Sequence, residues 1–291
     1  MSPADSDPDE AITKEEITGE AAAPPASTAG ITKDITQRNA CISELMRRKP
    51  KAPAQPTKSA STKQSGLARV FKDRDGLGAY THDPASFPAK RVVYFDDDFV
   101  VINDLYPKSA VHTLLLPRSP RSRLHPFEAF EDPEFLARVQ SEALKLKQLA
   151  AKELQRRFGK YSEADKLREA VLNGDIEWEA NELPKGRDWE REIKVGIHAH
   201  PSMNDLHVHV ISRDMSSECM KHRKHYNSFN TPFLIDVADF PLAKDDPRRH
   251  PGHAGFMNGD LKCWRCGQNF GNKFKQLKDH LALEFEAWKK E

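Results

Sequence analysis

Long apolar runs are missing from this sequence. Nothing in its 291 residues approaches the ~18–20 consecutive apolar positions of a membrane span, so no membrane partner is expected. Cysteine is scarce: four in the chain is too few for a disulfide scaffold of this length. Glycine (14) is outnumbered by proline (20), and hydrophobic residues reach only 38%, below the ~45–50% of an ordinary globular chain. Part of the chain is therefore expected not to fold. A surplus of one charge is also absent, since 45 Lys+Arg stand against 44 Asp+Glu, and this excludes a simple polycation. The first residues are acidic without an apolar stretch, so no secretory signal is expected.

The even balance conceals local asymmetry. Residues 1–65 contain no aromatic residue and are dominated by Ala, Pro, Ser, Thr and Lys, a composition that cannot offset its own ordering entropy. A disordered tail is predicted there. It is acidic up to Glu20 and basic from Lys33 to Lys63, densest at Arg47-Arg48-Lys49-Pro50-Lys51. That cluster reads either as a nuclear-import or nucleic-acid signal or as a solvated linker.

Order is predicted from Gly66. RVVYFDDDFVVI at 91–102 reads as two strands around an Asp96-Asp97-Asp98 turn, and VHTLLLP at 111–117 as another strand. Asp132 as N-cap and Pro133 at the first helical position open a helix to about Phe158. Its core face is read as Phe135, Val139, Leu144, Leu146 and Leu149. Residues 159–190 are polar and ambiguous, while 193–197 and 206–211 are strand candidates. Residues 219–259, within a Pro-, Asp- and His-rich stretch from Ser216, read as loops and a connector, and 260–291 as a separate compact unit.

The most informative stretch is GIHAHPSMNDLHVHVISRD at 196–214. Side chains alternate faces along a strand. His207 and His209 therefore share one face, while Leu206, Val208 and Val210 point to the core. His198 and His200 stand just upstream, across a Pro201-Ser202-Met203-Asn204 turn. Packing histidines are one reading, but four around one turn argue against it. A Zn²⁺ or Fe²⁺ site is a second. Nucleophilic catalysis by a neutral imidazole is a third.

D-L-H-V-H-V-I at 205–211 resembles the histidine-triad (HIT) signature, His-x-His-x-His with apolar residues between. Residues 66–291 resemble the aprataxin family of HIT enzymes. The likeness is carried by V-I-N-D-L-Y-P-K-S-A-V-H at 101–112, G-I-H-A-H-P-S-M at 196–203, the histidine strand, and D-L-K-C-W-R-C-G at 260–267. The forkhead-associated module of animal members has no counterpart in these residues, so the resemblance is to the shorter fungal type. It implies an α+β fold: a HIT-type antiparallel sheet with flanking helices at 66–218, fused to a C-terminal zinc-finger module.

The resemblance also implies an activity. Such an enzyme hydrolyses DNA 5′-adenylates through a covalent AMP–histidine intermediate, releases AMP, and works on nicked or adenylated 5′ ends in the nucleus. His207 would be the nucleophile, His198 the leaving-group assistant, and His209, Ser202 and Lys108 phosphate ligands. Asn103, Asp104 and Met203 fall where the nucleotide is held, although Asp104 also reads as a turn cap. Phe71, flanked by Arg69 and Lys72, reads either as a wedge on the terminal base pair or as a core anchor. Asp205 departs from the first histidine of the signature. His112 reads as structural, and His200 has no assigned role. The tail would offer its short motifs to repair partners.

Cys263-x-x-Cys266, then thirteen intervening residues and His280, approach a two-Cys, two-His finger. No second histidine follows; Glu284 projects from the same helical face at i+4. A structural Zn²⁺ held by Cys263, Cys266, His280 and Glu284 is expected, with no catalytic metal. A redox C-x-x-C is the competing reading and lacks its βαβ context. Leu277, Leu281, Phe285 and Trp288 form an apolar stripe expected to dock on the HIT domain. Lys262, Arg265, Lys273, Lys275 and Lys278 form a basic surface for DNA phosphates or merely a solvated face. The alternative functions are hydrolysis of small dinucleoside polyphosphates or AMP conjugates, and non-catalytic nucleic-acid binding.

Overall fold

A computed structural model describes Phe71 and residues 73–291. The tail at 1–65 with its basic cluster, together with Arg69 and Lys72, lies outside the described residues. Among the described residues the strands are β1 (Val92–Phe95), β2 (Phe99–Asn103), β3 (His112–Pro117), β4 (Ile193–His198), β5 (Val208–Ser212) and β6 (Leu234–Asp236). The helices are α1 (Gly78–His82), α2 (Pro126–Ala129), α3 (Pro133–Phe158), α4 (Lys166–Leu172), α5 (Arg223–Asn230), α6 (Pro251–Ala254) and α7 (Phe274–Trp288).

The strands form a six-stranded sheet in the order β1-β2-β3-β5-β4-β6, every pair antiparallel. The β1–β2 hairpin closes as its composition predicts: the Asp96 carboxylate accepts from the Asp98 and Phe99 amides at 2.8 and 2.7 Å. β5 is an interior strand, flanked by β3 and β4. The histidine strand thus lies mid-sheet, where both edges of its backbone are paired.

The two faces of the sheet have different neighbours. α3 lies across β3, β4 and β5. Asp132 caps it as predicted, accepting from the Glu134 and Phe135 amides. Its buried stripe is Phe135, Leu136, Val139, Ala143, Leu146, Ala150 and Leu154. Leu144 and Leu149 do not belong to it; they are 54% and 43% exposed. They fall off the 3.6-residue stripe that Phe135, Val139 and Leu146 follow, so burying them would require turning the helix on its axis. The polar member of the stripe, Glu142, is satisfied by the Tyr94 hydroxyl at 2.8 Å and Lys145 at 2.9 Å.

The opposite face presents Ile102, Leu114, His209 and Gly196 in cross-strand register. Leu77, Val100, Ile102, Leu114 and Leu116, with Tyr80 and Met203 packed against them, form an apolar cluster at one end. Ile211, Met215, Met220, Tyr226, Phe229, Leu261, Leu277 and Leu281 form another at the other end. The histidines occupy the gap between the two.

Residues 219–259 are not only a connector. They contain α5 and β6, and β6 pairs with β4. A strand can pass so close to β4 because residue 196 is glycine. A Cβ there would lie 2.7 Å from the Ile235 carbonyl oxygen and 2.8 Å from Leu234. Lys194 Nζ donates to the Phe229 carbonyl and to Asn230 Oδ1, both at 2.8 Å, and so holds the C-terminal end of α5. The ambiguous 159–190 stretch supplies α4.

Residues 260–291 are likewise not separate, because they share a core with the sheet. Leu277 and Leu281 pack in the cluster that contains Ile211. Trp288 has no exposed surface, meets Trp189 and Phe158 edge-on at 6.1 and 5.7 Å, and donates from Nε1 to Glu192 at 2.7 Å. The Arg187 guanidinium lies between Trp189 and Trp288, 4.5 and 4.8 Å from the ring centroids. The predicted stripe thus docks through all four of its residues: Leu277, Leu281 and Trp288 are buried, and Phe285 meets Phe158 edge-on at 5.6 Å.

A fully buried indole with an edge-on partner on either side should be costly to remove. Trp288→Ala is expected to lower unfolding free energy by about 3–5 kcal/mol in denaturant titrations. A loss below about 1 kcal/mol would mean that α7 is only loosely held.

Candidate active site and metal centre

The β5–β4 hairpin sets the site. His207 stands immediately before β5, His209 is within it and His198 ends β4. Ring centroids lie 4.9 Å apart for His207–His209 and 4.4 Å for His198–His209. β3 adds His112, whose ring centroid is 5.3 Å from that of His209. The structural reading of His112 is therefore corrected: it belongs to the cluster. Its nearest histidine partner is remote in sequence, so no local spacing marks it. Phe229 of α5, in a segment read as connector, packs against His112, His198 and His209 at 5.3, 4.8 and 5.1 Å. It was not singled out from the sequence.

All four imidazoles are almost fully covered, at 3–5% exposure. Burial, the largest influence, depresses each of their pKa values, His112 to about 4 and His198 and His209 well below the ordinary value. Lys108 adds repulsion at His112, His198 and His209. At neutral pH the rings are uncharged, so each has one N–H and one lone pair.

The hydrogen bonds assign these roles. His207 Nδ1 donates to the Asp205 carbonyl at 2.8 Å, which leaves the lone pair on Nε2. The Lys108 amide donates to His112 Nδ1 at 3.1 Å, so the His112 proton is on Nε2. That nitrogen stands 3.0 Å from His209 Nδ1, with the Asp104 carboxylate 3.4 Å away. His209 therefore accepts at Nδ1 and carries its proton on Nε2. Eight buried side-chain atoms among the described residues have no hydrogen-bond partner, and three of them belong to sequence-predicted site residues: His198 Nε2, His209 Nε2 and Ser202 Oγ. Orphaned buried polar atoms are costly, and the two on His198 and His209, in the ring cluster that includes His207, mark a place built for a polar ligand. Asp104, His112 and His209 also bring donor atoms within 4.8 Å of one another, a proximity their mutual hydrogen bonds explain.

The other sequence-predicted residues separate into two groups. Lys108 is buried beside the cluster, its Nζ donating to the Tyr106 carbonyl at 2.8 Å. Asp104 does cap a turn, accepting from the Tyr106 amide at 2.8 Å. Met203 packs on the apolar cluster beyond the histidines. Asn103 is not directed at the site; its amide donates to the Lys90 carbonyl at 2.8 Å. Phe71 is half-buried over Gly78, where a Cβ would lie 2.7 Å from its ring. His200 is exposed, 6.2 Å from the His125 ring, at a cavity of about 200 Å³ that Arg74, Arg123 and Asn204 also line.

The four metal-ligand candidates converge: their donor atoms all lie within 4.8 Å of one another. His280 Nε2 is 3.2 Å from Cys266 Sγ and 3.2 Å from Glu284 Oε1. Ligands on one tetrahedral zinc, with bonds of about 2.0–2.3 Å, stand a little over 3 Å apart, so this S₂NO donor set fits a closed structural zinc. Gly267, at φ +76°, makes the backbone turn after Cys266. Arg265 is not a free phosphate ligand, which corrects its reading. It pairs with Glu284 Oε2 at 2.5 Å and with Glu291. The first pair leaves Glu284 Oε1 toward the metal position. Lys262, Lys273 and Lys275 are exposed, and Lys278 lies 3.9 Å from Glu218. Tyr226 of α5 binds the finger loop, donating to the Lys262 carbonyl at 2.8 Å and accepting from the Trp264 amide at 2.9 Å.

The HIT domain family matches residues 88–216, and the C2HE / C2H2 / C2HC zinc-binding finger family matches residues 230–287. An aprataxin-like protein of Schizosaccharomyces pombe is 36% identical over 220 residues, 74% of this chain and 82% of the relative. One from Saccharomyces cerevisiae is 36% identical over 217 residues, 74% of this chain and 96% of the relative. The crystal structure of the aprataxin ortholog Hnt3 in complex with DNA superposes with a TM-score of 0.56 at 32% identity, covering 74% of this chain and 96% of that one.

Two measurements check the site. A folded pKa of about 4 for His112 lies below its unfolded value of 6.5, so its contribution is complete above pH 6.5 and is lost as pH falls toward 4. Full protonation would cost roughly 3 kcal/mol. Melting curves between pH 7 and pH 4.5 should show this fall, and His112→Asn should make it shallower, the remaining slope coming from His198, His207 and His209. An equal slope in both proteins would rule the assignment out. For the metal centre, one equivalent of zinc per chain is expected by elemental analysis, with Cys263→Ala losing it and melting at lower temperature. Zinc retained in that variant would remove Cys263 from the ligand set.

Proposed function

This chain belongs to the aprataxin family of HIT-domain proteins, and from that membership and its histidine geometry we propose that it is a DNA 5′-adenylate hydrolase, removing AMP from abortively ligated ends. The observation that carries the reading is the pair of unpartnered buried nitrogens, His198 Nε2 and His209 Nε2, on rings clustered with a neutral His207, with Ser202 Oγ a third unpartnered atom in the turn between β4 and β5. A phosphate group offers the oxygens that these atoms lack.

His207 Nε2 attacks the AMP phosphorus. The P–O bond to the DNA 5′-phosphate breaks, and that phosphate leaves. The positive charge developing on the ring is stabilised through Nδ1–H by the Asp205 carbonyl. His209 donates from Nε2 to a phosphoryl oxygen, joined by Ser202 and the nearby Lys108 charge. His198 takes up a proton as the bound anion raises its affinity for one, and delivers it to the leaving phosphate. Water then attacks phosphorus and gives a proton to His198, which the first step left neutral, the P–N bond breaks, and AMP departs with the His207 lone pair restored. Asp104 and Met203 bound the nucleotide side.

The DNA part of the reading is supported by the relative solved with DNA and by exposed Lys262, Lys273 and Lys275 on the finger. Phe71, at the edge of the site, is the proposed stacking surface for the terminal base pair. Bound zinc would hold the finger fold and takes no part in the chemistry. The basic cluster Arg47-Arg48-Lys49-Pro50-Lys51 supports a nuclear location and a role in strand-break repair.

Enzyme mixed with adenylated nicked DNA and quenched early should carry one AMP on the His207 peptide by mass spectrometry. His207→Ala should lose the adduct and about 10³-fold or more in adenylate release, with DNA affinity within about 2-fold. Surviving turnover would exclude His207 as nucleophile, and a higher kcat/KM on diadenosine polyphosphate than on adenylated DNA would exclude the repair reading.

A further inference from the structure

Asp205 occupies the first position of the histidine signature, and its surroundings give that departure a purpose. Its carboxylate, 5% exposed, lies 3.1 Å from Arg123 Nη1. The same guanidinium reaches Asp75 Oδ1 at 2.7 Å through Nη2. Asp75 Oδ1 also accepts from Asn204 Nδ2 at 3.0 Å, and the Asn204 amide donates to the Arg74 carbonyl at 2.8 Å. Arg74 returns a bond to the Pro201 carbonyl at 3.2 Å, and the Leu206 amide donates to the Ser122 carbonyl at 2.7 Å. Residues on both sides of Asp205 are thus tied to the 73–75 turn and to the 122–123 turn. The group held at the centre is the Asp205 carbonyl, which accepts the His207 Nδ1 proton at 2.8 Å.

We propose that Arg123 is a positioning residue, whose guanidinium, bridged between Asp205 and Asp75, holds the Asp205 carbonyl that orients the His207 nucleophile. This rests on the reading of His207 given above. The physical basis is geometric. A bidentate guanidinium between two carboxylates fixes direction as well as distance. Displacing a nucleophile by about 1 Å costs about 10²-fold in rate. The same bridge joins the loop of Ser202 to the turn that follows Phe71, so the phosphate pocket and the proposed end-stacking surface move as one piece.

The test is the single-turnover rate of AMP–His207 formation on adenylated nicked DNA, measured beside DNA affinity and unfolding midpoint. Arg123→Ala and the isosteric Asp205→Asn are expected to slow adduct formation roughly 10- to 100-fold at saturating DNA. Affinity should stay within about 3-fold; the midpoint should stay near that of the parent in Asp205→Asn and fall in Arg123→Ala, which leaves the buried Asp205 carboxylate unpaired, so rates are compared below the lower midpoint. Arg123→Lys should recover part of the rate, since an ammonium reaches one carboxylate but not both. An Arg123→Ala rate within about 2-fold of the parent overturns the proposal. So does a loss of DNA affinity with an unchanged saturated rate, which would make Arg123 a phosphate contact. A parent protein that forms no adduct at all would instead sink the reading of His207 itself.

Discussion

Desolvation of the imidazoles is the interaction on which the site depends. A ring stripped of water stays neutral, and a neutral ring has one donor and one acceptor nitrogen. Once the protein engages one nitrogen, the other has a single role. The Asp205 carbonyl takes the His207 proton, so Nε2 is left nucleophilic. The chain from the Lys108 amide through His112 leaves His209 with a proton to donate. Phe229 supplies much of the cover, with its ring against three of the four histidines. Orphaned polar atoms in that cover destabilise the free protein, and the cost is concentrated where a phosphate would relieve it.

The cover is built from the C-terminal half. α5 carries Phe229 over the histidines and, three residues earlier, Tyr226 into the finger loop. Lys194 of β4 holds its C-terminal end. The Asn227 amide ties it to the Met257 and Gly259 carbonyls at 3.2 and 3.0 Å. Histidine pocket and finger loop are therefore packed on neighbouring turns of one short helix. At the far end of α7, Trp288 anchors the finger helix beside α3. The finger is continuous with the domain whose active site it borders, and this is why its apolar stripe faces inward and its lysines outward.

Most of the sheet was legible in advance because its signals are short-range. Alternation marked β5, Asp96 marked the first turn, and Asp132 with Pro133 marked the start of α3. The C-x-x-C pair with a histidine and a glutamate four residues apart marked the metal ligands. The misses share a cause. Leu144 and Leu149 are apolar, but their exposure depends on which side of α3 meets the sheet. β6 is three residues long, and its pairing depends on a glycine in another strand. Arg265 belongs to a basic run in sequence but to a carboxylate pair in space.

What the sequence alone determined is whatever period and spacing within one element can encode: strand faces, helix caps and the spacing of the candidate metal ligands. Tertiary structure decided which nitrogen of each ring is free, how His112 and Phe229 enter the site, and how Arg123 reaches both Asp75 and Asp205. Hydrogen-bond direction and burial arise only when segments far apart in the chain are brought within about 3–5 Å, and no local pattern carries that information.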